Sequence, residues 1–143
     1  MKSNNKLQNI NYWLCKSDPE TYSWNDLLKK KETIWDGVRN YQARNNLKKM
    51  KKGDIVLFYH SGQTPGIFGI AKVTKESFPD PTAKEELWVA VKIKADKSLK
   101  NAVSLEQIKM NKKLQNIGLL KQSRLSVMPL TKAEFDEIVR FEF

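Results

Sequence analysis

Residues 33–44 read T-I-W-D-G-V-R-N-Y-Q-A-R and concentrate side chains that can hold a flat polar ring. Two large aromatics, Trp35 and Tyr41, lie on either side of a predicted turn at Asp36-Gly37. Arginine and amide side chains follow on the first turns of a predicted helix, and a nucleobase pocket requires such planar groups beside aromatic faces. The alternative is a core tryptophan before an ordinary amphipathic helix, because Trp and Tyr side chains are mostly buried for packing.

Lys16, Ser17 and Asp18 place short polar groups at the end of the first predicted strand, residues 11–16. If that strand end converges with Trp35, a stacking face lies next to donors and acceptors for the edge of a base. Such a pocket removes water with its aromatic wall and selects its ligand with the polar groups.

His60 and Cys15 are the single histidine and the single cysteine of the chain. They cannot supply the usual zinc ligand sets, and no Asp-rich loop resembles a calcium site. A lone histidine is more often a structural hydrogen-bonding group than a catalyst, although its neutral ring could also face a ligand. Cys15 has no partner for an internal disulfide and lies in an apolar run. The sequence predicts no catalytic residue, no metal site and no cofactor.

The charge of the chain favours polyanionic partners. Lys and Arg number 26 against 16 acidic residues, a net charge of +10 with a pI near 9.7, and nucleic acid is the commonest polyanion. Residues 92–124 hold nine basic residues against two acidic ones. Basic side chains in this segment and on the helix at 39–50 are either phosphate contacts or solvated surface. The predicted phosphate contacts are Arg44, Lys48, Lys109, Lys112, Lys113, Lys121 and Arg124.

The elements that position these residues are short strands and helices. Apolar runs predict strands at 11–16, 55–59, 67–73, 87–95 and 125–130, the last at a sheet edge because of Pro129. Capping boxes begin predicted helices after Ser23, Ser104 and Thr131. The two prolines in 78–81 predict a loop, and Gly69 predicts a bulge, bend or close backbone approach. This order favours an α+β fold, a small mixed sheet or curled barrel of five to six strands with helices around it.

Residues 1–143 are expected to form one domain, with 1–9 as a flexible tail. No segment has the length or apolarity of a membrane span. A monomer in the cytoplasm is expected, associated with the nucleoid in a bacterium or nuclear in a eukaryote.

Several ordered motifs resemble those of the EVE domain family, in the PUA-like superfamily. They are Y-W-L and K-S-D-P at 12–19, W-D-G-V-R-N-Y-Q-A-R-N at 35–45, F-Y-H-S at 58–61, P-D-P-T-A at 79–83 and R-L-S-V-M-P at 124–129. The resemblance implies a PUA-like pseudobarrel and a pocket for a modified base, either modified cytosine in DNA or a base in RNA. It implies no catalysis.

YTH domains, which read methylated adenine, are similar at the K-S and tryptophan positions. By that likeness Trp35 forms a pocket wall, and Ser17 and Asp18 contact the base edge. The further pocket lining implied more loosely is Lys16, Asn40, Tyr41, Tyr59, His60 and Ser61, with Phe78 as a second wall. The chain departs from the family where Asp18 replaces the more usual Glu. It also departs where Trp88 follows Ala83 after only four residues.

The expected function is a nucleic-acid-binding module that reads a modified base in DNA or RNA. One alternative is an enzyme on modified nucleosides, with Lys16, Asp18 and His60 as acid–base groups. Another is an accessory domain that binds RNA or protein through its basic surface alone. Arg39 either braces the turn through carbonyls and Asp36 or contacts phosphate. Bracing is favoured, because a buried turn needs its carbonyls satisfied.

Overall fold

The structure, a computed structural model, describes residues 9–140 and 142. Within them, six strands and five short helices occur in the order β1 (Tyr12–Ser17), α1 (Trp24–Lys30), β2 (Glu32–Trp35), α2 (Tyr41–Lys49), β3 (Ile55–His60), β4 (Gly66–Pro79), β5 (Val89–Ser104), α3 (Leu105–Met110), α4 (Gly118–Lys121), β6 (Val127–Leu130) and α5 (Lys132–Ile138). The strands form one mixed sheet in the order β2-β5-β4-β3-β1-β6. The predicted α+β class with five to six strands is confirmed.

Two strands with continuous apolar runs, β1 and β3, are neighbours in the sheet and are deeply buried in their middle parts. Leu14 and Cys15 of β1 and Leu57 and Phe58 of β3 are fully buried, as expected for strands covered on both faces. β1 and β3 pair in parallel, and Ser17 lies beside His60. Because parallel strands need a long crossover, α1, β2 and α2 fill the chain between them.

β4 and β5 form a hairpin much longer than the predicted strands 67–73 and 87–95. The predicted loop at 78–81 is wrong for its first half, since Phe78 and Pro79 pair with Ala90 and Val89. Pro79 is tolerated because it is the last residue of its strand, where a missing N–H does not interrupt the ladder. Short-range sequence signals do not show how far a hairpin continues.

The sheet is strongly curled. Trp35 at the end of β2 packs edge to face on Phe58 of β3, with ring centroids 5.5 Å apart, although β5 and β4 lie between them in the sheet. Strands are spaced about 4.8 Å apart, so a flat sheet would separate these positions by about 14 Å. Register shifts in the β4–β5 ladder, one of them between Ile67 and Gly69, introduce the bulges that bend such a sheet.

Gly69 also permits a close approach, as its position predicts. A Cβ atom there would lie 2.2 Å from the Trp24 ring, so α1 docks directly on the β4 backbone. The Trp24 indole Nε1–H donates to Ser98 Oγ at 2.8 Å. Trp24, Trp35 and Phe58 therefore fill the inner face of the curl.

Helix starts follow the predicted caps. All three capping boxes, at Ser23, Ser104 and Thr131, are present, and an N-cap of this kind contributes about 1 kcal/mol. The second helix begins at Tyr41, with Asn40 as its N-cap, rather than at residue 39. β6 is an edge strand as Pro129 predicts. β2, α4 and a 3-10 turn at Lys112–Leu114 were not predicted.

Of the predicted flexible tail at 1–9, only Asn9 belongs to the described residues. Across the described ranges, no helix has the length and apolarity needed to span a bilayer, and no three His, Cys, Asp or Glu side chains are grouped as a metal site would require.

Candidate functional site

A cleft of about 600 Å³ lies where the end of β1 meets the turn after β2. We call it the β1–β2 cleft. Its volume is within the range of ligand sites, roughly 300–1,000 Å³. The predicted convergence of the first strand end with Trp35 is present. The cleft residues used below are Lys16, Ser17, Asp18, Tyr22, Ile34, Trp35, Val38, Arg39 and Ser126.

Trp35 belongs to both the core and the cleft. It is the last residue of β2 and pairs with Val91. The residue is 8% exposed and lines the cleft, while its indole packs on Phe58 at an interplanar angle of 85°. Core packing of the ring is therefore observed, and its role as a pocket wall stays a prediction for a residue that also lines the cleft.

Ser17 and Asp18 border the cleft with oxygen atoms. Ser17 Oγ donates to the Tyr22 carbonyl at 2.5 Å, so its lone pairs remain as acceptors. Asp18 is exposed, and its Oδ1 accepts the Glu20 N–H at 2.9 Å. Its carbonyl accepts the N–H groups of Thr21 and Tyr22 at 2.9 Å each. These bonds fix the turn that carries the carboxylate.

Lys16 brings a half-buried ammonium group to the same cleft. Its Nζ donates to the Ser123 carbonyl at 2.6 Å and lies 5.8 Å from the centre of the Tyr59 ring. Burial lowers the pKa of Lys16 from its ordinary value. The ammonium thus joins β1 to the loop before β6 and adds positive charge to the cleft wall.

Asp80 fixes the turn on the opposite side of the cleft, a role that sequence reasoning missed. Oδ2 accepts the Gly37 N–H at 2.8 Å and Arg39 Nη1 at 2.9 Å. Oδ1 accepts the N–H and Oγ1–H of Thr82 at 2.7 and 2.6 Å. We call these four residues the Asp80 cluster. Burial raises the pKa of Asp80, but hydrogen bonds from Thr82, Arg39 and Gly37 outweigh it and hold the pKa at about 2.

Arg39 braces the turn, as favoured from the sequence, but its partner differs from the expected one. The guanidinium pairs with Asp80 and the Val38 carbonyl rather than with Asp36. Asp80 lies 41 residues away, a separation that no local pattern reveals. The available signal was the D-P-T sequence at 80–82, in which an aspartate commonly accepts the N–H two residues on.

Other predicted pocket residues lie outside the β1–β2 cleft. His60 Nε2 accepts the Trp24 N–H at 2.9 Å, and its ring stacks on Phe68. Burial lowers the pKa of His60, which keeps that acceptor unprotonated. Ser61 Oγ lies 3.5 Å from the Ser17 carbonyl. The residues not brought to the cleft are Asn40, Tyr41, Tyr59, His60, Ser61 and Phe78.

The predicted phosphate contacts are distributed over several clefts and helices. Lys112 and Lys113 line a separate, larger cleft of about 940 Å³ beside α3 and α5, which we call the C-terminal cleft. Lys109, on α3, lines a different cleft of about 490 Å³ with Phe68 and Leu105. Arg124 lines a shallow groove of about 320 Å³ with Asn40 and Gln42. The three others, Arg44, Lys48 and Lys121, lie on α2 and α4.

The chain was compared with known proteins. The EVE domain model matches residues 11–141. Mouse thymocyte nuclear protein 1 is 38% identical over 166 aligned positions, covering 92% of this chain and 74% of that protein. The alignment is longer than the 143-residue chain, so the relative carries residues that this chain lacks.

Solved structures show the same fold. Human THYN1 in complex with 5-methylcytosine-containing DNA is similar with a TM-score of 0.85 and 36% identity, over 92% of this chain and 97% of that chain. A YTH domain of the Zygosaccharomyces rouxii MRB1 protein, solved with N6-methyladenosine RNA, is similar in fold alone. Its TM-score is 0.57 at 15% identity, over 93% and 86% of the two chains. The chain belongs to the EVE domain family and has its PUA-like α+β fold.

Proposed function

We propose that this protein binds nucleic acid and reads a modified base held in the β1–β2 cleft, with modified cytosine in DNA as the preferred ligand. The observation that carries the proposal is the convergence of Trp35 with Ser17 and Asp18 around one cleft. Its support from relatives is the complex of human THYN1 with 5-methylcytosine-containing DNA.

The lining fits the chemistry of a cytosine ring. Stacking of a base on an aromatic side chain such as Trp35 contributes about 1–3 kcal/mol. The exocyclic amino group of cytosine is a donor, and the oxygens of Ser17 and Asp18 are acceptors. Because a duplex encloses the ring faces by stacking and the Watson–Crick edge by pairing, the base must leave the stack to enter the cleft.

Ile34 and Val38 add apolar surface to the same cleft and are the proposed contacts for a methyl substituent. One methyl group in an apolar pocket is worth about 1–3 kcal/mol, or roughly 10–200-fold in affinity. Discrimination against unmodified cytosine is therefore expected within that range.

Binding without catalysis is the better-supported proposal. Of the acid–base residues of the enzyme alternative, Lys16 and Asp18 line the cleft but His60 does not, and its Nε2 accepts the Trp24 N–H. Lys16 is hydrogen-bonded to a backbone carbonyl, which leaves its ammonium as a fixed charge in the cleft wall.

The test measures binding of single-stranded oligonucleotides that differ only in one 5-methylcytosine, by fluorescence anisotropy. Wild-type protein should prefer the modified strand. Asp18→Asn should lower affinity for both strands about tenfold, since a charge-assisted hydrogen bond is lost. Trp35→Leu should remove the preference itself. Equal binding of the wild type to both strands, and to strands with other common modifications, would overturn the proposal.

The matched control is Glu20→Gln, which changes the same charge two positions away at an exposed residue outside the cleft lining. Its binding should equal that of the wild type. Trp35→Leu removes part of the core, so its fold is checked by circular dichroism, and Asp18→Asn at an exposed position remains a test that does not depend on core packing.

A further inference from the structure

Four planar side chains stack side by side at the edge of the β1–β2 cleft. The Arg39 guanidinium lies 5.7 Å from the Trp88 ring centre. Trp88 stacks on Tyr41 with centroids 5.3 Å apart at 26°, and the Arg44 guanidinium lies 5.2 Å from the Tyr41 ring centre. We call Arg39, Trp88, Tyr41 and Arg44 the rim stack. Two stacked aromatic rings thus lie between two cations along a surface that begins in the cleft lining.

Each arginine of the rim stack is held in place by hydrogen bonds. Arg39 donates to Asp80 at 2.9 Å and to Thr82 at 3.2 Å. Arg44 donates to Asn45 Oδ1 from Nε and Nη2 at 3.1 and 2.7 Å. A further bond runs from Arg44 Nη1 to the Leu87 carbonyl at 3.4 Å. Both guanidinium groups are therefore oriented before any ligand arrives, which lowers the entropy cost of binding a phosphate.

Trp88 is placed by the short segment that follows Ala83. The Asp80 N–H donates to the Trp88 carbonyl at 3.0 Å, and the Trp88 N–H donates to the Glu85 carbonyl at 3.5 Å. The chain therefore turns back at once and brings the indole against α2. The same short connection links the rim stack to the Asp80 cluster.

Tyr41 is exposed to an unusual degree for an aromatic residue. It is 62% exposed, and it is the one aromatic ring among the large hydrophobic residues that are exposed in the described chain. The Arg39 side chain is 40% exposed. An exposed tyrosine between oriented arginines, on a chain of net charge +10, is complementary to a sugar–phosphate backbone with its bases splayed out.

We propose that the rim stack binds the nucleotide next to the base in the β1–β2 cleft. The arginines contact its phosphate, and Tyr41 with Trp88 contacts its sugar and base. The inference rests on the proposed function and extends it, because Arg39 belongs both to the cleft lining and to the rim stack. A strand that leaves the cleft past Arg39 meets Tyr41 and Arg44 next. The ligand is then a segment of at least two nucleotides rather than a single base.

The test compares ligands of different length by NMR titration of labelled protein. The ligands are 5-methyl-2′-deoxycytidine, a trinucleotide with 5-methylcytosine in the middle, and the same trinucleotide with cytosine. Wild-type protein should bind the methylated trinucleotide more tightly than the nucleoside. Tyr41→Ala and Arg44→Gln should each weaken trinucleotide binding about tenfold and leave nucleoside binding unchanged.

Lys49→Gln is the matched control, because it removes one positive charge from an exposed position of the same helix. It should bind both ligands as the wild type does. The inference is overturned if Tyr41→Ala and Arg44→Gln bind the trinucleotide like the wild type, or if they weaken the nucleoside equally. Failure of the proposed function is a separate result, in which wild-type protein binds both trinucleotides equally.

Discussion

The β1–β2 cleft and the C-terminal cleft differ in construction more than in size. The smaller one, of about 600 Å³, has an aromatic wall and a turn fixed by the Asp80 cluster. The larger one, of about 940 Å³, is lined by apolar, amide and charged side chains, with no aromatic ring among its described lining residues. Only the smaller cleft therefore combines a rigidly held aromatic residue with short polar groups, a difference that the two volumes do not reveal.

The largest expected effect is that of a substitution in the Asp80 cluster, which belongs to the β1–β2 cleft alone. Asp80→Asn places an amide nitrogen against donors and should lower the free energy of unfolding by about 2–3 kcal/mol at pH 7. The turn that carries Trp35 and Arg39 should loosen, so binding in the β1–β2 cleft should weaken as well. Urea denaturation measures the first effect and oligonucleotide binding the second.

The pH dependence of the stability difference between wild type and Asp80→Asn tests whether the ionised carboxylate is its cause. The folded pKa of Asp80 is about 2, below the unfolded value of about 3.9. The stabilisation is therefore complete above about pH 5 and is lost as the pH falls through the folded pKa, toward about pH 1. The difference between wild type and Asp80→Asn should shrink over this interval. A stability difference that stays constant with pH would show that the carboxylate charge does not cause the stabilisation.

Removing positive charge from the C-terminal cleft tests whether that cleft contacts the phosphates of nucleic acid. The double variant Lys112→Gln, Lys113→Gln should keep the preference for methylated DNA. If both lysines contact phosphate, the slope of log affinity against log salt should fall by about two. An unchanged slope would show that the predicted contacts at Lys112 and Lys113 are surface charge only. A lost preference would show that the reading site lies in the C-terminal cleft.

The smallest expected effect concerns Tyr22, which lines the β1–β2 cleft. Its hydroxyl oxygen is buried and has no hydrogen-bond partner among residues 9–140 and 142. Because an unsatisfied buried hydroxyl costs free energy, Tyr22→Phe should leave the stability unchanged or raise it by up to about 1 kcal/mol. Thermal unfolding measures this. A loss of more than 1 kcal/mol would reveal a partner for the hydroxyl.

Local signals in the sequence predicted the parts of the fold that local physics determines. The apolar runs around Leu14 and Leu57 located the two parallel strands, and three capping boxes located helix starts. The convergence of Trp35 with residues 16–18 was also predictable, with help from the family resemblance, because strand ends and turns concentrate polar groups.

Long-range partners could not be predicted in the same way. Asp80 meets Gly37 and Arg39 only because the β4–β5 hairpin continues beyond the predicted strands and turns back at Trp88. His60 contacts Trp24 instead of lining the cleft. From the sequence, a side chain at the end of β3 could point to either side of the sheet. Both outcomes depend on the register and curvature of the sheet, which no residue pattern within a few positions encodes.

Because the sheet is curled, residues outside the cleft affect the width of the cleft. β1 and β2 are not neighbours, and three strands lie between them in the sheet. The distance between the two walls of the cleft therefore depends on how strongly β4 and β5 bend. The bulges near Gly69 set that bend. We expect relatives with identical cleft residues but different bulges to have clefts of different width.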